Sequence, residues 1–303
     1  MINQSNYCFY CGWNERLAKE NFRLYGDNIP VFQLIGETPH DLKRVVMWDF
    51  LKVVNNGKFL PNIAQLIGDC TSWGTKKPID HIAAYQIVVE GKKEQWKECS
   101  SLYNYGVSRV LIGGQRGSYE DGSIGEWCSK GVVKFGVCNL DHPKLPKYDS
   151  QSAKKYGAEG PPKELQDVGV NHLIKTSALV RNVDEAVKAL LNGYCINVCS
   201  NRGFQMTGVA DKGKLWGRPS GTWNHSMSWV GVDLDSSRPG IYNLNSWGEN
   251  AHGSPVDDSP PGGFWIDLEV ADYMIKQNDT YVYSQFEGYP AQRLDKALFM
   301  LYS

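Results

Sequence analysis

Cys70, His225 and Asn245 are the residues of this 303-residue chain whose types and positions could combine into one reaction centre. A thiol that attacks a carbonyl must be ionised, needs a base within hydrogen-bond reach, and leaves an oxyanion that donors must hold. Cys70 follows Gly68-Asp69 and precedes Ile79, Ile82, Ala83 and Ile87, apolar positions at helical spacing. It therefore opens a helix, whose terminal amides and dipole lower a thiol's pKa, as an adjacent imidazolium also would. His225 begins one β-like run and Asn245 ends the run that returns. A hairpin midway between them is centred at Asp235, at the edge of the turn-rich stretch Asp235-Ser236-Ser237-Arg238-Pro239-Gly240. Directly opposed residues of such a ladder lie roughly 5.5 Å apart at the Cα atoms. The Asn245 amide oxygen would then accept from one imidazole nitrogen and turn the other toward Cys70. Taken alone, the same geometry also describes an ordinary core histidine.

The elements that must position these residues differ between the two halves of the chain. In the first half, His40 to Leu51 has amphipathic helical spacing, and the helix from Cys70 contains Pro78, which calls for a kink or for a helix that starts near Pro78. A further helix is expected after Asp121-Gly122-Ser123, running to Phe135 before Gly136, with Asp121 as its cap. Another joins Val183, Ala186, Val187, Leu190 and Leu191 on one face and ends at Gly193. In the second half, short β-like runs hold Ile196 and Val198, Trp229 to Asp233, Ile241 to Leu244, and Gly263 to Leu268. Helix-rich then strand-rich segments predict an α+β protein of two lobes. Tyr148 to Pro162, with its Ser, Lys, Gly and Pro, reads as a linker or surface loop.

With these elements placed, Asn224-His225-Ser226-Met227-Ser228-Trp229-Val230-Gly231-Val232 and the later Asn245-Ser246-Trp247-Gly248 resemble the histidine and asparagine blocks of papain-like cysteine proteases. Gln65-Leu66-Ile67-Gly68-Asp69-Cys70 resembles the family's glutamine-to-cysteine block, in the Q-x-I-G-D-C form of divergent bacterial and phage members. Asp121-Gly122-Ser123 resembles the loop of small residues lining the substrate cleft, and the similarity extends over roughly residues 55 to 275. The resemblance implies a papain-like two-lobed fold, with Cys70 on the helical lobe facing His225 and Asn245 on the β-rich lobe. It implies that Gln65 and the Cys70 backbone amide hold the oxyanion, and that Trp247 shields the His225–Asn245 bond from water. Gly68, Gly122 and Ser123 would approach the backbone of an extended peptide. The implied organisation is an N-terminal extension at 1–55, a catalytic domain at 56–275 and a C-terminal extension at 276–303.

The activity implied is peptide-bond hydrolysis through an acyl-thioester on Cys70, with a peptide or protein substrate and no metal or cofactor. Two alternatives keep the scaffold. One is an amidase acting on peptidoglycan or isopeptide links; the other is a structural or binding component of a virion or other assembly, with possible assembly partners and weak or lost catalysis. Formal net charge is −1 with no long run of either sign, which gives no footprint for nucleic acid. No window of eighteen apolar residues predicts a membrane span, and the start lacks the pattern of a signal peptide, so a cytoplasmic or virion-associated protein is expected. The eight cysteines form no paired metal-ligand knuckles. Cys8 and Cys11 make one C-x2-C that reads as packing or a redox-labile pair, while Cys195 and Cys199, roughly 13 Å apart if their strand is extended, cannot bridge. His40, His81, His142, His172 and His252 are expected on the surface or in loops.

Overall fold

A computed structural model of the chain describes residues 10–33, 41–91 and 95–283. The first half is helical: α1 (Glu15–Tyr25), a short strand β1 (Arg44–Val46), α2 (Met47–Val54), α3 (Cys70–Glu90), α4 (Ser101–Gly106) running into a π-helical turn at Val107–Ile112, α5 (Gly125–Lys134), α6 (Ser150–Glu159) and α7 (Lys163–Gly169). The second half is β2 (Ser177–Leu179), α8 (Val183–Leu191), β3 (Ile196–Phe204), β4 (Val209–Asp211), β5 (Lys214–Trp216), β6 (Pro219–Asp233), β7 (Gly240–Leu244), β8 (Gly263–Asp267), α9 (Leu268–Ile275) and β9 (Thr280–Tyr283). The strands form one sheet in the order β2-β9-β3-β6-β7-β8-β5-β4, with β1 also on β6. The expected α+β, two-lobed arrangement is the one found. Ile67, Leu102, Tyr105 and Leu165 belong to the core of the helical lobe, and Trp48, Trp229, Tyr242 and Trp265 to that of the β lobe.

The helix α3 is the element that carries Cys70 to the junction of the lobes. Gly74 lets it press against the sheet, since a Cβ there would lie 2.3 Å from Ser226 Oγ and 2.7 Å from Asn197 Oδ1. Pro78 lies inside α3 and does not start it. The ring removes the amide that would have bonded the Gly74 carbonyl one turn earlier. The Ser228 hydroxyl of β6 donates to that carbonyl instead, at 3.1 Å, so the donor lost within the helix is replaced from the sheet.

Two expectations about local structure are corrected. The stretch expected as one helix over His40 to Leu51 begins instead with β1, whose Val45 and Val46 pair with Val232 and Gly231; His40 itself lies outside the described residues. The pairing lets Trp48 pack over Gly231, where a Cβ would meet its ring at 2.8 Å. Tyr148 to Pro162 is not a linker, because Asp149 accepts from the Ser152 amide at 2.7 Å and caps α6, whose Ala153 and Tyr156 are buried in the helical lobe. Cys195 and Cys199 are buried free thiols, while Cys8, the other member of the C-x2-C with Cys11, lies outside the described residues. No helix among the described residues is long and apolar enough to cross a membrane.

Candidate active site

Cys70 is the first residue of α3 and is wholly buried. On the opposite lobe, His225 Nε2 lies 2.7 Å from Asn245 Oδ1. Their strands do not oppose them directly. The ladder pairs Ser228 with Leu244 and shifts register between Trp229 and Gly231, so continuing it would set Asn245 against Met227, two residues from His225. The contact is the diagonal one on the same face of the sheet, which long side chains can still make. Trp247 stacks on the pair, its ring centroid 4.6 Å from that of His225 at an interplanar angle of 32°.

Asn245 is held from more sides than its sequence block shows. Its Oδ1 also accepts the Ser246 amide at 2.7 Å, and its Nδ2 lies 2.8 Å from His252 Nε2. Its backbone carbonyl accepts from Lys77 Nζ, which also donates to Asn62 Oδ1 at 2.9 Å. Lys77, on α3 two turns after Cys70, thus ties the cysteine's helix to the asparagine's loop. Lys77 and His252 were not legible as site residues, and His252 and His81 are buried rather than at the surface; His142 and His172 are partly exposed. Burial pushes the His225 imidazole down to about 4 and that of His252 down to about 3.

The cleft is filled by the chain's own residues 10–14. The Gly12 amide donates to Cys70 Sγ at 3.3 Å, Ser123 N donates to the Gly12 carbonyl at 2.9 Å, Trp13 N donates to the Asn224 carbonyl at 3.1 Å, and Asn14 N donates to the Ser123 carbonyl at 3.0 Å. Gln65 Nε2 donates to the Tyr10 carbonyl at 2.5 Å and to the Ile67 carbonyl at 2.9 Å, while its Oε1 accepts the Ser246 hydroxyl at 2.6 Å. Gly12 passes so close to Gly68 that a Cβ on it would lie 1.8 Å from the Gly68 carbonyl oxygen. Gly122, at φ +106, leaves room for the Gly12 carbonyl, which a Cβ there would meet at 2.8 Å. The structure therefore gathers Gln65, Gly68, Cys70, Gly122 and Ser123 around this segment, with the His225–Asn245 pair and Trp247 across from them.

Cys70 and His225 are not joined by a hydrogen bond, and His225 Nδ1 has no hydrogen-bond partner among the described residues. The expected lowering of the thiol pKa is overturned: burial pushes Cys70 up to about 12, against the smaller opposing effects of the Gly12 and Ser226 amides. A thiol and an imidazole that are both desolvated stay uncharged. The expected cap on α5 is also corrected, since Asp121 instead accepts the Gly68 amide at 3.1 Å, and the amides of Gly125 and Glu126 are taken by Asp279 at 2.7 and 2.9 Å.

No protein-family model matches the chain and no curated protein matches it. Solved structures do. The chain superposes on xylellain, a cysteine protease from Xylella fastidiosa, with a TM-score of 0.56 and 16% identity over 86% of this chain and 92% of that one. It superposes on procathepsin B S9 from Trypanosoma congolense with a TM-score of 0.57 and 11% identity, over 94% of this chain and 89% of that one. The fold is that of papain-like cysteine proteases. Within this papain-like fold, His252 holds the side chain of Asn245 from a loop. If the site turns over substrate once a Gly12→Ala change displaces the segment, His252→Ala is expected to lower kcat by roughly 10 to 100-fold with little change in KM, as misplacing a reacting group does. Steady-state kinetics of the two variants would check this, and an equal rise in KM would count against it.

Proposed function

We propose that the chain is a cysteine peptidase held latent by its own residues 10–14. The observation that carries this reading is the placement of Cys70 at a helix start across from a shielded His225–Asn245 pair, with Gln65 beside the cleft. When the segment leaves, His225 Nδ1 takes the Cys70 proton and the thiolate attacks a peptide carbonyl. Gln65 Nε2 and the Cys70 amide donate to the oxygen as it gains charge. His225 then gives its proton to the departing amine, which leaves a thioester. Water, deprotonated by His225, attacks that thioester, and the new carboxylate departs as the thiol is restored.

Asn245 keeps the imidazole turned toward the thiol, and Trp247 keeps water from that bond. Substrate backbone would replace Gly12 against Gly68, Gly122 and Ser123, where an extended chain already fits.

The test uses the full-length Gly12→Ala chain, an epoxide-type thiol reagent at neutral pH, and peptide mass spectrometry to locate the adduct, alongside an unfolded protein substrate. Selective modification of Cys70 that depends on His225, together with new substrate termini, is the expected result. Slow modification spread over several cysteines, with intact substrate, would instead make the protein an inactive scaffold with a structural role.

A further inference from the structure

Trp13 fills a pocket that opens beside Cys70 and ends on a buried acid. Its side chain is 3% exposed and packs with Cys70, Ile124, Cys199 and Trp127. At the far end the indole Nε1 donates to Asp279 Oδ2 at 2.7 Å. Asp279 is 2% exposed and otherwise accepts only the backbone amides of Gly125 and Glu126 among the hydrogen bonds of the described residues. Among the described residues no lysine or arginine forms an ion pair with it, whereas the neighbouring Glu126 is paired with Lys130. The floor fits closely, because a Cβ on Gly125 would lie 2.9 Å from Asp279 Oδ1 and 3.0 Å from Cys199 Sγ.

Resting on the peptidase reading above, we infer that this is the pocket that selects substrate, with Asp279 requiring a large side chain whose far end donates an N–H, tryptophan or arginine, next to the bond cleaved. The walls accept an apolar stem or ring, and an aliphatic or phenyl side chain of similar size would leave the buried carboxylate without its third donor. Such an unmet acceptor is costly in a dry site, which is why a donor-reading pocket discriminates more sharply than an apolar one. Arginine adds a charge to match the carboxylate. Burial pushes Asp279 up to about 6, and a cationic partner would favour its ionised form. The own-chain tryptophan thus holds the place of the preferred substrate side chain.

The decisive experiment uses the full-length Trp13→Ala protein, in which the pocket lacks its occupant, and two flat probes of nearly equal shape. Indole carries the N–H and benzofuran replaces it with oxygen. Thermal unfolding across a concentration series should show saturable stabilisation by indole, with benzofuran roughly tenfold or more weaker, and no effect of either on the wild type. Asp279→Asn added to Trp13→Ala should erase the preference, although the comparison of the two probes stands even if that double variant does not fold. Equal protection by both probes, or by neither, would overturn the inference.

A second arm asks the Gly12→Ala chain to cleave peptides with Trp, Arg, Phe or Leu at the two residues before the cleaved bond, Trp and Arg being expected to lead by roughly tenfold or more. Cleavage without that preference rejects the role of Asp279. Indole selection with no cleavage of any peptide leaves the pocket's chemistry standing and removes the peptidase reading.

Discussion

Replacing Gly12 with alanine is expected to raise the reactivity of Cys70 toward thiol reagents at neutral pH by roughly 100 to 1,000-fold, since each unit by which a thiol's pKa falls multiplies its thiolate tenfold. The added methyl would lie 1.8 Å from the carbonyl oxygen of Gly68 and 2.2 Å from its carbonyl carbon, both backbone atoms that no rotamer change can move. The Gly68 amide is itself tied to Asp121, so the segment at residues 10–14 is the one expected to yield. Its departure exposes the thiol and ends the desolvation that holds Cys70 at about 12. The sign of the pH dependence follows. Wild-type labelling should still be climbing with pH at the alkaline end of the usable range, whereas the variant should level off at lower pH. Stopped-flow labelling with circular dichroism as a fold control would check both; unchanged labelling in a folded variant would sink the claim that the segment is what restrains Cys70.

In that opened chain, His225→Ala or Cys70→Ala should lower peptide turnover by about 10⁴-fold or more, as loss of a nucleophile or its base does in related chemistry, while Asn245→Ala should leave a reduced but measurable rate. The difference has a structural reason. Cys70 and His225 are the groups that would react, whereas with Asn245 gone His225 remains under Trp247 and on the sheet. A Cys70→Ala protein with full turnover would rule out the thioester route. Equal loss in all three variants would mean that Asn245 supports the fold of the site and not only the ring's orientation.

The outline of the fold and the members of the site were legible because they sit in runs with strong period or turn chemistry. Cys70 heads a helix, and His225 and Asn245 flank a turn-rich stretch. The exact register was not legible, since a bulge near Gly231 shifts the ladder and no residue type announces it. The helix α6 was hidden by its weak apolar content, being secured by the Asp149 cap and by small residues against the helical lobe. His252 reaches Asn245 from a loop where it holds φ at +69, and such a reach across a loop leaves no spacing to read. Asp279 and Trp13 meet although 266 positions separate them, and neither local sequence marks the other. The segment over the cleft gave no sign because its fit depends on one glycine among aromatic residues.

The bonds around Asn245 also decide where hydrogens reside before any substrate arrives. The Ser246 backbone amide can only donate, so the side-chain atom it meets must be the amide oxygen. The other amide atom is then the NH2 group, and the His252 nitrogen facing it must be bare. The His225 nitrogen facing the oxygen must in turn carry its hydrogen, which leaves the lone pair on Nδ1. One main-chain hydrogen thereby dictates the tautomers of two imidazoles, and the ring is already in the form that can receive a proton but not deliver one.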